Sequence, residues 1–122
     1  MKKLNKAVGN YAENIAQKFL LDSGYNILEC NFRNYIGEID IICMKQKLLI
    51  IVEVKGRYNI NYGFPRESVH YLKQKSIAKV TYSYIALKKL NNLNIRFDVI
   101  EILFNNNDSL YEINHIEDAF RL

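Results

Sequence analysis

Two carboxylates and an ammonium stand where apolar strands should bury them: Gly37-Glu38-Ile39-Asp40, twelve intervening residues, then Glu53-Val54-Lys55. Ile41-Ile42 follows the first acid and Leu49-Ile50-Ile51-Val52 precedes the second, so both read as strand positions, where unpaired charge is costly. Side chains alternate along a strand, so Glu53 and Lys55 share a face, as do Glu38 and Asp40. The polar segment Met44-Lys45-Gln46-Lys47 predicts an antiparallel hairpin of 38–43 with 48–55, in which Asp40 faces Glu53. Two acids held close repel, and an oxygen-preferring divalent ion relieves that repulsion, so the expected cofactor is Mg²⁺ or Mn²⁺. Zinc is a poor candidate, because Cys30, Cys43, His70 and His115 show no paired ligand spacing. A purely structural Asp40–Lys55–Glu53 network would be a costly choice for so small a core.

The elements that must position these residues follow from periodicity. Val8, Tyr11, Ala12, Ile15, Ala16 and Phe19 recur at helical spacing, and Gly24 closes that helix. A strand is expected at 25–30, a polar connection at 31–37, and the hairpin next. A loop over 58–65 carries the only proline and is the expected substrate-facing mobile element. A second helix is expected over 71–89, a β-branched and aromatic strand over 95–104, and a turn at 105–108. A short strand at 110–115 and a short terminal helix or tail at 117–122 complete the order.

The run Gly37-Glu38-Ile39-Asp40, then Val52-Glu53-Val54-Lys55 and Arg57, resembles the YraN family of bacterial proteins, within the PD-(D/E)xK nuclease-like superfamily. The resemblance spans nearly the whole chain, through Gly9 and Glu13, Asn31 and Arg33, Gly63, Glu67-Ser68-Val69, Lys73-Gln74 and Arg96-Phe97-Asp98. It implies an α/β fold with a restriction-endonuclease-like αβββαβ core, a mixed central sheet flanked by helices. It also implies a metal-dependent endonuclease that hydrolyses phosphodiester bonds of DNA, including branched DNA. Asp40, Glu53 and the Val54 carbonyl would hold the ion, which would polarise the scissile phosphate and activate water. Lys55 would position that water or stabilise charge on the phosphorane. Glu13 would be a further acid at the site, and Arg33, Arg57 and Lys73 would contact nucleic acid.

The bland readings stand beside these. Glu13 lies at the edge of the apolar stripe, where it could simply pair with a basic neighbour, while Gly9 one turn earlier leaves room for close approach. Lys73 falls inside the stripe continued by Ser76, Val80, Tyr84 and Leu87, so it either supports the acids and phosphate or snorkels to water. Asp98 is expected to pair with Arg96, Arg33 or Arg57, and Glu38 to join the metal or neutralise an arginine. His70 and His115 read as structural, and Tyr58, Tyr62 and Phe64 as packing before base stacking.

Composition sets wider bounds. The 122 residues are 49% hydrophobic, enough for one core, so a single domain over 1–122 is expected. With 17 Lys plus Arg against 13 Asp plus Glu, the net charge of +4 suits a polyanionic partner, although an AT-rich genome yields the same bias. Met1-Lys2-Lys3-Leu4 is not followed by an apolar leader, and no stretch reaches membrane-span length, so a cytoplasmic protein is expected. Cys30 and Cys43 read as small apolar strand residues of a reducing compartment. The alternative function is a non-catalytic nucleic-acid-binding or repair-complex interaction module that keeps the fold. A homodimer is left open.

Overall fold

A run such as Leu49-Ile50-Ile51-Val52 is apolar on both faces of a strand, so it requires a sheet covered from both sides. The computed structural model, which describes residues 6–58, 70–105 and 110–121, provides this cover. Its elements are α1 (Lys6–Asp22), β1 (Asn26–Arg33), β2 (Glu38–Lys45), β3 (Leu48–Tyr58), α2 (Tyr71–Lys88), β4 (Asn94–Phe104) and β5 (Tyr111–Phe120). The strands form one mixed sheet in the order β1-β2-β3-β4-β5, in which the β3–β4 pair is parallel and the other pairs are antiparallel.

Each face has its own core. On one, Ala12, Ile15, Ala16 and Leu20 of α1 pack over Ile41, Cys43, Ile50, Val52, Ile100 and Ile102. On the other, Ile77, Val80 and Tyr84 of α2 pack over Ile39, Ile42, Leu49, Ile51, Phe97 and Val99. Full burial of each Leu, Ile or Val contributes roughly 1.5–3 kcal/mol, so these two clusters fix where both helices lie. Gly24 closes α1 at φ 89°, where a residue without Cβ is unstrained. His70 caps α2, its Nδ1 accepting the Leu72 N–H at 3.2 Å.

Several expectations change. Strand pairing in the hairpin joins only Ile41–Lys45 with Leu48–Val52, across a tight Gln46-Lys47 turn with Gln46 at φ 56°. Asp40 therefore does not oppose Glu53 in the ladder. The last segment is strand, not helix or tail, up to Phe120, because a register shift between Phe97 and Val99 accommodates extra residues of β5. Leu20 replaces Tyr11 in the buried stripe of α1, and Leu87 is 65% exposed rather than core. An added Cβ at Gly9 meets no described atom within 4 Å, so no close approach explains it. Cys43 is buried, whereas Cys30 is an exposed thiol. Residues 59–65 of the expected loop, Glu67-Ser68-Val69 and most of the 105–108 turn lie outside the described residues. Among the described residues no helix is long and apolar enough to cross a membrane.

The β5 irregularity is organised by a buried charge. Asp98, fully buried, accepts two hydrogen bonds from Arg96 at 2.8 Å, one from the His115 Nε2–H at 2.8 Å and one from the Asp118 N–H at 3.0 Å. Asp118 adopts φ 56° to deliver that N–H. Burial pushes the Asp98 carboxyl up, but the bonds from His115, Arg96 and Asp118 outweigh it and hold the group below its ordinary value. A depressed carboxyl contributes stability above the unfolded-state value of 3.8 that is lost as pH falls through the folded value. Asp98→Asn is therefore expected to lose about 3 kcal/mol in urea unfolding at pH 7, with the gap to wild type closing in acid. Equal stability at pH 7 would show that the network contributes nothing.

Candidate active site

The acid pair sits where β2 and β3 part. The ladder between them ends at Ile41 and Val52, and beyond that point β2 pairs only with β1 while β3 continues along β4 to Tyr58. In place of the missing rung, the Asp40 carboxylate accepts the Val54 N–H at 2.8 Å, and the Asp40 N–H approaches Glu53 Oε2 at 3.5 Å. The change is visible in the side-chain pattern. Ile39 and Ile42 both lie against α2 while Ile41 and Cys43 lie against α1, so strict alternation breaks at Asp40.

β3 keeps its alternation and carries the rest. Val52, Val54 and Tyr58 face α1, which leaves Leu49, Ile51, Glu53, Lys55 and Arg57 on the α2 face, apolar at one end and charged at the other. The parallel return to β4 brings the first turn of α2 over the charged end. There Lys73, four residues before the buried Ile77, places Nζ 3.2 Å from Glu53 Oε1. Its stem lies on the buried side and its head is half exposed, so the snorkelling and acid-supporting readings describe the same side chain.

The connection from Asn34 to Gly37 is locked to α2. Asn34 Oδ1 accepts the N–H groups of Ile36 at 2.9 Å and Gly37 at 3.3 Å, Asn34 Nδ2 donates to Ser83 Oγ at 2.8 Å, and Ser76 Oγ donates to the Ile36 carbonyl at 3.4 Å. A Cβ at Gly37 would come within 2.8 Å of Ser76 Oγ, so glycine permits this approach. Glu38 follows and is bound by Arg33 at 3.2 Å in an exposed pair.

From the other face α1 contributes Glu13. Burial and the Asp40 charge push its carboxyl above the usual range, against a hydrogen bond from the side chain of Asn31. Asn31 adopts φ 54° in the stretch of β1 that runs beside Asp40. Burial also pushes the Asp40 carboxyl up, opposed by the Val54 bond and the charges of Lys73 and Lys55. Glu53 is pushed up to about 7 by burial and by Asp40, despite Lys73. Asp40, Glu53, Glu13, Glu38, Lys55 and Lys73 thus form one electrostatic unit at the sheet's parting line. Lys55 is half-buried, and its charge is felt at Asp40.

Arg57 is placed differently. It pairs with Glu101 at 3.7 Å, an acid 1% exposed that also accepts from Asn114 at 3.1 Å. Glu101 carries the same signal as Glu53, an acid between β-branched apolar residues in a strand, and that signal identifies it in retrospect. Asn34, Ser76 and Ser83 left no such mark, because small polar residues are ordinary in loops and on helices.

Hard oxygen donors from two carboxylates and the Val54 carbonyl suit Mg²⁺ or Mn²⁺, which commonly bind through one or two carboxylates together with substrate oxygens. Among the described residues no group of three or more His, Cys, Asp and Glu side chains is placed to hold a metal by itself. Burial and the Asp40 charge both disfavour an ionised Glu53, and a cation would relieve that.

A family model described as Uncharacterised protein family UPF0102 matches residues 12–102. The chain is similar to a UPF0102 protein of Clostridium beijerinckii, 60% identical over 122 residues, covering 100% of this chain and 99% of the relative. It is also similar to UPF0102 proteins of Clostridium perfringens, at 48%, and Clostridium acetobutylicum, at 44%, each over the full length of both chains.

A raised carboxyl binds its proton more tightly in the folded state, so stability falls as pH rises from the ordinary value of 4.5 to about 7. Glu53→Gln in EDTA is expected to be more stable than wild type at pH 8, by up to about 3 kcal/mol, and to lose this advantage at pH 4. Losing the half-exposed Lys73 partner offsets little of that. Parallel pH profiles of the two proteins in urea unfolding would remove the electrostatic account.

Proposed function

The chain belongs to the uncharacterised protein family UPF0102, the YraN family, and from that premise we propose that it is a metal-dependent endonuclease acting on phosphodiester bonds of DNA. The observation that carries this reading is the convergence of Asp40 and Glu53 beside Lys55 and Lys73 where two strands part. A structural role alone does not require a buried Glu53 whose proton affinity burial and the Asp40 charge both raise. The element order α-β-β-β-α-β is the order expected of a restriction-endonuclease-like core, with β5 added at the edge.

In this reading Asp40, Glu53 and the Val54 carbonyl hold Mg²⁺ or Mn²⁺, which when bound supplies charge neutralisation and Lewis acidity at the scissile phosphate. Lys55 orients the attacking water or offsets charge on the phosphorane, as a compact ammonium does well. Lys73 neutralises Glu53 and leaves it to a cation or phosphate at small cost, since half its side chain is already in water. Arg33, also largely exposed, contacts flanking phosphate. Arg57 pairs with Glu101.

One observation favours a second reading, a nucleic-acid-binding or interaction module without catalysis: no buried side-chain polar atom among the described residues lacks a partner. Cleavage of branched and linear DNA with Mn²⁺ separates the two. Lys55→Ala is expected to cut at least about 100-fold more slowly while its DNA affinity in EDTA stays near wild type. Loss of binding in step with cleavage would refute the role of Lys55, and a wild type that binds but never cuts would establish the module. Mn²⁺ is also expected to raise the melting temperature of wild type but not of Asp40→Asn. A shift that survives Asp40→Asn would place the ion elsewhere.

A further inference from the structure

Tyr35 is 97% exposed, more than any other large apolar side chain among the described residues. Single exposed apolar residues are ordinary, and on a loose loop one would carry no meaning. Here the backbone beneath the ring is pinned. Asn34 closes the turn with both its N–H and its side chain, and Ser76 and Ser83 tie the turn to α2. The backbone that carries the ring is already fixed, so binding has little main-chain freedom left to remove.

Its neighbours are those of the acid pair. Arg33 and Glu38, on either side of the turn, form an exposed ion pair of the kind worth little in water, so the guanidinium can exchange to a phosphate cheaply. The charge of Glu38 is felt at Asp40, Glu13 and Lys73. Four residues separate Tyr35 from Asp40, five steps of chain and at most about 17 Å when extended, which is a few nucleotides of a bound strand. An aromatic face beside a mobile cation is the pairing that binds single strands, where bases stack on the ring and phosphates meet the charge. Continuous duplex offers no free base face.

We propose that Tyr35 is a base-stacking platform at the rim of the Asp40–Glu53 site, and that the substrate is DNA with unpaired bases beside the scissile phosphate. This rests on the nuclease reading for the site but is tested by binding alone. Fluorescence anisotropy would be measured in EDTA, at one low salt concentration, with labelled oligothymidine and a matched duplex. Tyr35→Ala is expected to weaken the single-strand complex about tenfold, leaving the duplex affinity and the melting temperature unchanged, while Tyr35→Phe binds as wild type does. Wild-type binding of single strands by Tyr35→Ala would overturn the proposal, as would equal losses on duplex and single strand, or a loss in Tyr35→Phe matching that in Tyr35→Ala. If wild type binds neither oligonucleotide, the nuclease reading falls as well. If it binds both and Tyr35→Ala binds them as wild type does, that reading stands and the platform does not.

Discussion

The backbone of Val54 has one N–H to satisfy at the place where β2 leaves β3, and Asp40 satisfies it. A buried donor left unpaired costs about 1–3 kcal/mol, so the parting of the strands is tolerable only with an acceptor delivered from the side. That requirement draws a carboxylate into the sheet, and the rest follows from its charge. Glu53 is next to it and cannot ionise freely, Lys73 is drawn over from α2, and Glu13 on the opposite face feels the same charge. One missing rung therefore connects both helices to a single electrostatic centre.

The sheet carries a second buried acid whose treatment is opposite. Asp98 is surrounded by donors and held ionised, whereas Glu53 faces another acid and has one half-exposed lysine. Satisfied charge of the first kind specifies a register, here the detour in β5. Charge of the second kind, paired once and opposed by a neighbouring acid, is eased by anything cationic. The two acids lie on neighbouring strands and opposite faces, which separates fold specification from the candidate site.

Much of this was legible in the sequence, for definite reasons. The order of helices and strands was readable because β3 is apolar on both faces and the helices keep their stripes. Asp40, Glu53 and Lys55 were readable because charge is rare inside such runs. The switch of face at Asp40 was not readable, since periodicity assumes an unbroken ladder and nothing in Ile39-Asp40-Ile41 announces the break. The strand character of Glu117–Phe120 was hidden likewise, because its register depends on Asp98, nineteen residues before Glu117 and on another strand. The seat of the 34–37 turn on α2 depends on contacts between residues forty or more apart in sequence, which no local pattern encodes.

The irregularities in the two outer strands bear on how the molecule behaves in a crowd. β1 shifts register between Ile27 and Glu29 and bends at Asn31, while β5 is bent around Asp98 and ends beside the exposed Arg121–Asp118 pair. An outer strand that is straight and uncharged templates a neighbour's backbone and invites stacking into larger assemblies. Bulges twist that template out of line, and charge makes its burial expensive. Both margins of this sheet are therefore poor templates for a further strand.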